Sequence, residues 1–332
     1  MAKTDGSEIP TIDIAPFLAG DPSGKAAVAR AVAEACERVG FLVISGHGLP
    51  QETLQRAIRL GMDFFDLPQD DKDRFHPTGA ARQRGYHRVA TRNLASTLGA
   101  KTPPDLRESI FLGPVDDHRA HYAALADAET AYAGNTVPDV PEGFDGALID
   151  LYRAFERLSR DMMRITARAL DQDEAAFVAL LERHFSIFGM HHYPMLGTPP
   201  EPGQLRAGAH TDFGAMTILA MTEGRGGLEA RLPDGRWVPV QPKPGELVVN
   251  LGDMMQRWTN DQWVSTLHRV VVPDTGDVQS RRMSIGYFVH PNFDAEIRCV
   301  PSCLAPGEAP RYPTITAGEH IRRKIDASHK AA

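Results

Sequence analysis

Cysteine is scarce in this sequence, and its scarcity excludes one class of protein. Among 332 residues there are only three cysteines, Cys36, Cys299 and Cys303. A sparse and odd-numbered set does not suit a disulfide framework, and the last two have neither the spacing nor the partner pair of a zinc site. We interpret them as structural, and we expect a reducing compartment, the cytoplasm.

Long hydrophobic runs and an excess of basic residues are also absent. No run approaches the length of a membrane-spanning helix, and residues 1–6 show no apolar signal segment. Acidic residues outnumber basic ones by 43 to 36, which gives a formal net charge of -7. Such a chain is poorly suited to nucleic acid or to an acidic membrane surface. We therefore expect neither as a partner, and the sequence does not indicate an oligomeric state.

Hydrophobic residues make up 42% of the chain, which suffices for a sizeable core in one large or two small domains. Apolar residues at helical spacing predict helices from Lys25 to Val39, from Pro50 onward, from Phe144 to Leu170, from Glu174 to His184, and around Ile321 near the C-terminus. Short strands are predicted at Ile9–Ile14 and Phe41–Ser45. The first half of the chain is therefore mainly helical.

From Phe188 onward the pattern changes to short strands broken by glycine and proline. The predicted strands are Phe188–Tyr193, Met216–Met221, Gly227–Ala230, Trp237–Val240, Leu247–Leu251, Ser265–Val272 and Met283–His290. Short strands at this spacing indicate an antiparallel sandwich or barrel, most simply a jelly roll. The predicted fold class is α+β or mainly β, with a jelly-roll core flanked by helices and a helical N-terminal region.

Two histidines and one aspartate in this region form a candidate metal site. His210 and Asp212 are one residue apart, so in an extended chain both side chains point the same way, and His268 lies in a separate β-branched segment. Two imidazoles and a carboxylate are the ligands of the facial triad that holds non-haem Fe(II) and leaves positions open for O2 and a co-substrate. His-x-Asp alone is a weak signal, because roughly one match arises by chance in a chain of this length.

An arginine and a serine follow the last of these histidines on another predicted strand. Arg282, Ser284, Gly286 and Phe288 share one face, whereas Met283, Ile285, Tyr287 and Val289 form an apolar face suited to packing. A guanidinium and a hydroxyl two residues apart can clamp a carboxylate. Alternatively, an Arg-x-Ser pair on a strand is a solvated edge.

Candidate contacts to a primary substrate come from two aromatic residues and from the N-terminal loops. The aromatic residues are Phe213 and Phe288, which are alternatively core residues. The polar candidates are Arg84, Tyr86 and Glu108, which alternatively pack the loop. The sequence does not identify the compound.

Several segments carry a family pattern in combination. They are Ile9-Pro10-Thr11-Ile12-Asp13, Ser45-Gly46-His47-Gly48, His191-His192-Tyr193-Pro194, the segment from Pro244 to Asp253, Trp258-Thr259-Asn260, His268-Arg269-Val270 and Arg282-Met283-Ser284. With these segments the chain resembles, over almost its full length, the isopenicillin N synthase-like group of Fe(II)- and 2-oxoglutarate-dependent dioxygenases.

The resemblance implies a double-stranded β-helix core whose iron is held by His210, Asp212 and His268. It also implies that the Arg-x-Ser pair binds the distal carboxylate of 2-oxoglutarate, with a further hydrogen bond from Tyr193. Family members often have asparagine at the position of His191, so the resemblance assigns no role to that histidine. The expected regions are an N-terminal dioxygenase region (1–120), a helical support segment (121–185), the catalytic core (186–295) and a C-terminal segment (296–332), in one integrated domain.

The predicted function is oxidation of a small molecule by hydroxylation, desaturation or cyclisation, as in secondary metabolism. O2 and 2-oxoglutarate would be consumed, and succinate and CO2 released. One alternative is a non-haem iron oxidase of the same fold that uses no 2-oxoglutarate, in which Arg282 and Ser284 hold a substrate carboxylate. Others are a non-catalytic jelly-roll binding module and a zinc hydrolase, in which the Arg-x-Ser pair has no evident role.

Overall fold

The computed structural model describes residues 8–81, 83–125, 127–222, 227–272 and 281–331; residues 1–6, for which no signal segment is predicted, lie outside the described residues. The strands are β1 (Thr11–Asp13), β2 (Phe41–Ser45), β3 (Gly85–His87), β4 (Glu108–Leu112), β5 (Ile187–Tyr193), β6 (Ala207–His210), β7 (Met216–Met221), β8 (Leu228–Arg231), β9 (Trp237–Pro239), β10 (Leu247–Leu251), β11 (His268–Val270), β12 (Arg282–Val289), β13 (Glu296–Ile297) and β14 (Ile315–Thr316). The helices are α1 (Ala15–Leu18), α2 (Pro22–Arg38), α3 (Gln51–Phe65), α4 (Gln69–Asp73), α5 (Ala128–Ala131), α6 (Phe144–Ala169), α7 (Glu174–Ala179), α8 (Asp253–Trp258) and α9 (Ala317–Ala331). None of these helices is both long enough and apolar enough to span a lipid bilayer.

Two facing sheets form the core. The large sheet has the strand order β1-β2-β10-β7-β12-β5-β4-β3, and the small sheet has the order β6-β11-β8-β9. From β5 to β12 the chain crosses repeatedly between the two sheets, and all strand pairs in this part are antiparallel. This arrangement is the double-stranded β-helix, or jelly roll, and it confirms the predicted fold class.

The N-terminal region completes the large sheet at both edges. β1 and β2 extend it beside β10, while β3 and β4 extend it beside β5. β4 was not predicted as a strand, because glycine, proline and charged residues dominate the segment that precedes it. The residues before position 120 are thus built into the same sheet as the core.

The large sheet has two different faces. On its outer face, which we call the helix side, α2, α3 and α6 pack against side chains such as Ile285 and Tyr287 in one extensive apolar cluster. On its inner face, which we call the pocket side, a smaller apolar cluster joins it to the small sheet through residues such as Val248 and Val270. Side chains alternate between these faces along each strand, as predicted for β12.

Two predicted segments are shorter in the structure, and the strand β6 was not predicted. The helix predicted to reach His184 ends at Ala179, where the Asn292 side chain donates to the Ala179 carbonyl. The strand predicted over 265–272 is confined to His268–Val270, and before it the backbone N–H of Ser265 donates to the Gln256 side chain and not to a neighbouring strand. β6 was missed, since its Ala-Gly-Ala-His sequence has no β-branched residue.

Candidate active site

The two histidines and the aspartate of the predicted metal motif meet between the two sheets. His210 ends β6 and lies directly opposite His268 on the neighbouring β11. The Nε2 atoms of His210 and His268 are 3.8 and 3.9 Å from Oδ1 of Asp212, respectively. One ligand atom from each residue lies within 4.8 Å of the others. The backbone register therefore brings together three side chains that are distant in the sequence.

Both imidazoles are held in the same tautomer by backbone carbonyls. Nδ1 of His210 donates to the Gly208 carbonyl at 2.7 Å, and Nδ1 of His268 donates to the Thr266 carbonyl at 3.0 Å. With the proton on Nδ1, the lone pair of each Nε2 faces the space beside Asp212. Gly208 packs closely against Ala95, and a Cβ atom at this position of β6 would lie 2.7 Å from the Ala95 nitrogen. This position therefore requires glycine.

Asp212 is oriented by two residues of the large sheet. Its Oδ2 accepts hydrogen bonds from Thr217 Oγ1 at 2.5 Å and from Asn250 Nδ2 at 2.7 Å. Thr217 on β7 and Asn250 on β10 are themselves cross-strand partners. Both donors use the same carboxylate oxygen, so Oδ1 remains directed at the two imidazoles. Neither donor has a recognisable signal in the sequence.

The protonation states suit metal binding. Burial, and after it the neighbouring His268, lowers the pKa of His210 to about 3, so this imidazole is neutral at physiological pH. Burial acts to raise the pKa of Asp212, but the two imidazoles and the hydrogen bonds from Thr217 and Asn250 outweigh it and hold that pKa below its usual value. A neutral imidazole and an ionised carboxylate are the forms that bind a cation.

The donor set fits a mononuclear transition metal. Two imidazole nitrogens and one carboxylate oxygen converge from one side, and their remaining polar atoms are engaged by protein groups. Three protein ligands on one face leave further coordination positions open, as Fe(II) oxygenases require. The same set can also hold zinc. The remainder of the pocket distinguishes between these two metals.

Arg282, Ser284 and Tyr193 form a second cluster on the pocket side. Arg282 and Tyr193 are register partners on β12 and β5. The Arg282 guanidinium carbon lies 5.0 Å from the centre of the Tyr193 ring, and the hydroxyl groups of Tyr193 and Ser284 are 3.2 Å apart. A cation and two hydroxyl groups thus face the same space, which is the composition of a carboxylate site.

The Arg282 guanidinium is buried, and no acidic side chain of the described residues forms an ion pair with it. The residue is 3% exposed, and among the described residues its Nη1 has no hydrogen-bond partner, while Nη2 contacts only the sulfur of Met221 at 3.3 Å. Burial lowers the pKa of Arg282, although the group stays charged. A buried charge without a partner is costly, so this geometry calls for an anionic ligand.

A second arginine beside this cluster was missed by the sequence analysis. Arg206 is fully buried, and its guanidinium carbon lies 5.8 Å from the Tyr193 ring, on which Arg282 also packs. The positive charge of Arg282 contributes, after burial, to a lowered pKa of Arg206. No sequence signal pointed to Arg206, because the segment before β6 has no periodicity.

The two aromatic candidates for substrate contact occupy different positions. Phe288 is half-buried on the pocket side of β12, and its ring lies 6.4 Å from that of His191. His191 is buried, and its Nδ1 is 2.8 Å from the hydroxyl of Ser109. Phe213 is half-buried near α9, where the ammonium group of Lys324 lies 5.9 Å from its ring.

The structure does not bring the polar candidates Arg84, Tyr86 and Glu108 to the pocket. Tyr86 and Glu108 point to the helix side, where the Tyr86 hydroxyl donates to Glu108. The buried Arg84 donates to the Ala131 carbonyl. Strand alternation turns Tyr86 and Glu108 to the helix side of the sheet, while their neighbours His87 and Ser109 face the pocket.

A jelly roll with two imidazoles, a carboxylate and a cationic carboxylate site between its sheets is the architecture of a mononuclear non-haem metal enzyme. Residues 184–291 match the family model of the 2OG-Fe(II) oxygenase superfamily, where 2OG is 2-oxoglutarate. Residues 9–138 match the model described as non-haem dioxygenase in morphine synthesis N-terminal. Both matched regions include strands of the large sheet.

Relatives and solved structures agree with these matches. The 2-oxoglutarate-Fe(II) type oxidoreductase hxnY of Emericella nidulans is 33% identical over 97% of this chain and 91% of its own length. The validamycin A dioxygenase of Streptomyces hygroscopicus subsp. limoneus is 32% identical over 95% of this chain and 85% of its own. The crystal structure of a full-length Neurospora crassa protein in complex with alpha-KG and 5-formyluracil superposes with a TM-score of 0.82 at 29% identity, covering 98% of each chain.

The chain belongs to the 2OG-Fe(II) oxygenase superfamily. It is an enzyme that uses Fe(II) and 2-oxoglutarate with O2 to oxidise a small molecule, as the sequence analysis predicted. The family leaves two points open: which side chains of this chain serve each part of the reaction, and which compound is oxidised.

Proposed function

We propose that His210, Asp212 and His268 hold the Fe(II) ion and that Arg282, Ser284 and Tyr193 bind the distal carboxylate of 2-oxoglutarate. The single observation that carries the proposal is that one pocket contains both a set of metal ligands and a buried cation that calls for an anion. Three metal-ligand atoms converge there, and a buried guanidinium lacks an anionic partner among the described residues. A single 2-oxo acid bound to Fe(II) would occupy the metal site and would also supply the anion for the guanidinium.

Each protein group has a defined task in this proposal. The Gly208 and Thr266 carbonyls hold the two imidazoles in the tautomer that presents Nε2, and Thr217 with Asn250 holds Asp212 so that Oδ1 faces the metal. These contacts fix the ligands before the metal binds, which favours one geometry over others. When bound, Fe(II) supplies the activation of O2 that is coupled to decarboxylation of 2-oxoglutarate.

The guanidinium of Arg282 orients the co-substrate from its far end. A planar fork of N–H donors matches a carboxylate, and the hydroxyl groups of Ser284 and Tyr193 donate from the adjacent strands. In a buried site, such charge-assisted hydrogen bonds contribute about 1.5–3 kcal/mol each. The oxo-acid end is thereby directed at the triad, and water is excluded from the carboxylate.

We further propose that the primary substrate lies beside Phe288 and His191, with Phe213 at the edge of the pocket. Phe288 shares the pocket side of β12 with Arg282 and Ser284, and its half-burial leaves part of the ring accessible to a ligand. The alternative that Phe213 is a structural residue is supported by its carbonyl, which accepts a hydrogen bond from His320 of α9. Substitution of each aromatic residue tests these two assignments.

The central experiment is an anaerobic titration of the protein with Fe(II) and then 2-oxoglutarate. A metal-to-ligand charge-transfer band that appears only with both components supports the proposal, whereas its absence at saturating concentrations rejects it. Asp212→Ala should abolish the band, and Arg282→Lys should shift its appearance to higher 2-oxoglutarate concentration. Arg119, which is exposed and paired with Asp117, provides the matched control Arg119→Lys.

Succinate production separates the oxygenase from the oxidase alternative. An oxidase of the same fold would use Arg282 and Ser284 to hold a substrate carboxylate and would produce no succinate. We expect stoichiometric succinate from 2-oxoglutarate in the presence of O2. The zinc hydrolase alternative predicts activity without O2, and the binding-module alternative predicts no turnover at all.

We also propose a cytoplasmic location and one integrated domain. The three cysteines are all free, and two of them are buried, which is the state expected in a reducing compartment. Strands from the N-terminal region form both edges of the large sheet, so separate folding of that region would expose the edges of β5 and β10. Expression of residues 121–332 alone should therefore give aggregated protein.

A further inference from the structure

The pocket has a second cationic wall that neither the iron ligands nor the 2-oxoglutarate site uses. It consists of Arg92 and Arg107, which we call the arginine pair. Arg107 immediately precedes β4, whose residues Ser109 and Phe111 follow it at alternate positions. Ser109 contacts His191, and the Phe111 ring lies 5.3 Å from that of His191. Strand alternation therefore directs this wall at the pocket.

The side chain of Arg107 is largely buried and poorly paired. Its side chain is 9% exposed, and among the described residues it makes no hydrogen bond; its nearest carboxylate is Asp105 at 3.8 Å. Asp105 already accepts hydrogen bonds from the backbone nitrogens of Gly208 at 2.9 Å and Leu94 at 3.2 Å. Since Gly208 in turn orients His210, Arg107 lies close to the triad.

Arg92 contributes a second positive charge without a carboxylate of its own. Its guanidinium carbon lies 4.5 Å from the Phe111 ring, and Nη2 is 3.3 Å from Nε2 of His87. Burial, followed by Arg92 and His76, lowers the pKa of His87 to about 3, so His87 is a neutral acceptor and not a counter-ion. Among the described residues, no ion pair joins Arg92 to an acidic side chain.

The charges on this wall do not balance. Within the described part of the chain, two guanidinium groups face one carboxylate, that of Asp105, so one positive charge is left over in a largely buried place. Proteins normally pair buried charges, because an uncompensated one is costly. After burial, the two arginines are the largest contributors to a strongly lowered pKa of His191, which confirms that both lie near this pocket residue.

The arginine pair is distinct from the 2-oxoglutarate site. Arg282 lies on β12, and β5 separates β12 from β4, so the two cationic sites are two strand spacings apart, about 10 Å. His191 on β5 lies between them, and the Phe288 ring, beside which the primary substrate is proposed to bind, is 6.4 Å from that of His191. One pocket thus holds two cationic sites, which lie on or beside different strands of the large sheet.

We propose that the arginine pair binds a carboxylate group of the primary substrate, so that the enzyme oxidises a small organic acid, amino acids included. This inference rests on the proposed function, because it takes 2-oxoglutarate to occupy the Arg282 site. A carboxylate between Arg92 and Arg107 neutralises the surplus charge and leaves the rest of the molecule against Phe288 and His191. The anchored end fixes which C–H bond faces the metal.

The test compares acids with their amides, in which an uncharged group replaces the carboxylate. The probes are benzoate and benzamide, phenylacetate and phenylacetamide, indole-3-acetate and indole-3-acetamide, and L-proline and L-prolinamide. Each is titrated calorimetrically under anaerobic conditions into the protein with Fe(II) and saturating 2-oxoglutarate, so that the Arg282 site is already filled. We expect at least one acid to bind about tenfold or more tightly than its amide, the effect of one charge-assisted hydrogen bond. If no acid outbinds its amide, the proposal is overturned.

Variants locate the preference. Arg107→Gln and Arg92→Gln should each reduce the acid-to-amide ratio several-fold, Arg107→Lys should retain part of it, and the exposed Arg119→Gln should leave it unchanged. An unchanged ratio in both glutamine variants would overturn the assignment. Titration of 2-oxoglutarate into each variant reports on folding, because its affinity should not change.

Failure of this inference is distinguishable from failure of the proposed function. If the wild-type protein forms the charge-transfer band but prefers no acid, only the arginine pair is wrongly assigned. If the band does not form, the proposed function fails, and the same acid and amide pairs are then compared on the metal-free protein. A preference that Arg107→Gln removes would still support an acid site there, and its absence would reject it.

Discussion

Both faces of the large sheet carry buried charged side chains, but the two faces differ in how completely these side chains are hydrogen-bonded. On the helix side, Glu108 accepts hydrogen bonds from Lys72 at 2.9 Å, Tyr86 at 2.5 Å and Nδ1 of His192 at 2.8 Å. Nε2 of His192 in turn accepts from Arg281 at 2.7 Å. On the pocket side, Nη1 of Arg282 has no partner among the described residues. The Glu108 network is fully hydrogen-bonded, whereas the guanidinium of Arg282 is incompletely hydrogen-bonded among the described residues.

This difference separates a structural role from a binding role. A buried polar network stabilises a fold when every member is satisfied, because unpaired groups pay the full cost of desolvation. The Glu108 network meets that condition and joins α4 to β3, β4 and β5. Arg282 and the arginine pair do not meet it, so a ligand must complete them. Adjacent residues such as Arg281 and Arg282 can therefore have different roles, one in stabilising the fold and the other in binding a ligand.

The largest effect is expected from a substitution at the metal ligands on the pocket side. Asp212→Ala removes the carboxylate that both imidazoles face, so Fe(II) binding and succinate formation should fall by at least about 100-fold, beyond the loss typical of changes around a metal ligand. Iron content and succinate are measured on protein whose far-ultraviolet circular dichroism matches the wild type. Full turnover in iron-replete buffer would show that Asp212 is not a ligand.

The matching change on the helix side should affect stability and leave ligand binding intact. Glu108→Gln removes the charge that Lys72, Tyr86 and His192 share, and breaking a buried pair costs about 3–5 kcal/mol. Urea unfolding should show this loss, while the affinities for Fe(II) and 2-oxoglutarate stay within about twofold of wild type, since binding energy is not involved. A large loss of 2-oxoglutarate affinity at unchanged stability would contradict the comparison.

The pH dependence of unfolding sharpens the same comparison. Burial alone would raise the pKa of Glu108, but His192, Tyr86 and Lys72 together hold it below its usual value of 4.5. A carboxyl whose pKa is lowered by folding stabilises the protein above its unfolded-state pKa, and that contribution is lost as the pH falls through the folded-state value. Between pH 6 and pH 3, about the range of carboxyl titration, the wild type should lose stability more steeply than Glu108→Gln. Parallel curves would rule out this coupling.

Arg282→Lys is expected to have a smaller effect that is confined to the co-substrate. Lysine keeps the positive charge but loses the planar fork, so one charge-assisted hydrogen bond of about 1.5–3 kcal/mol is lost. The KM for 2-oxoglutarate should rise about 10- to 100-fold, with Fe(II) affinity unchanged. The neighbouring Arg281→Lys is the control, because Arg281 contacts His192 and Asp66 on the other face. Equal effects of the two variants on KM would remove the distinction between the faces.

The sequence predicted those parts of the site that lie within single strands. The alternation along β12 assigned Arg282 and Ser284 to one face and Ile285 to the other, and the structure has this arrangement. The His-x-Asp spacing with a distant His268 also anticipated the cluster. In each case, local periodicity carries the information, because successive side chains of a strand alternate.

The sequence did not predict contacts that depend on strand register. Tyr86 and Glu108 were assigned to the substrate, yet their pairing with the neighbouring strands turns them to the helix side. Arg107, one residue before Glu108, faces the pocket and was overlooked. A shift of one residue exchanges the two faces of a strand, and only the three-dimensional pairing fixes it. Asn250 and Thr217 were missed for the same reason.

The smallest expected effect tests the comparison within one strand. Phe288 faces the pocket and is half-buried, whereas Ile285 faces the helix side and is 1% exposed. Ile285→Ala should cost about 2–5 kcal/mol of stability, because it leaves a cavity in a packed core. Phe288→Ala removes a ring that neighbours His191 and should change the relative kcat/KM values of substrates by about tenfold or less, the range of a few missing apolar contacts.

The measurement for both variants is urea unfolding together with a substrate panel followed by succinate release. The comparison holds if Ile285→Ala is destabilised with unchanged selectivity and Phe288→Ala shows the reverse. If Phe288→Ala alters no kinetic constant for any substrate, its ring belongs to the core. The pocket wall at this position would then be formed by other side chains that face the space between the sheets, such as His191, Ser109 and the arginine pair.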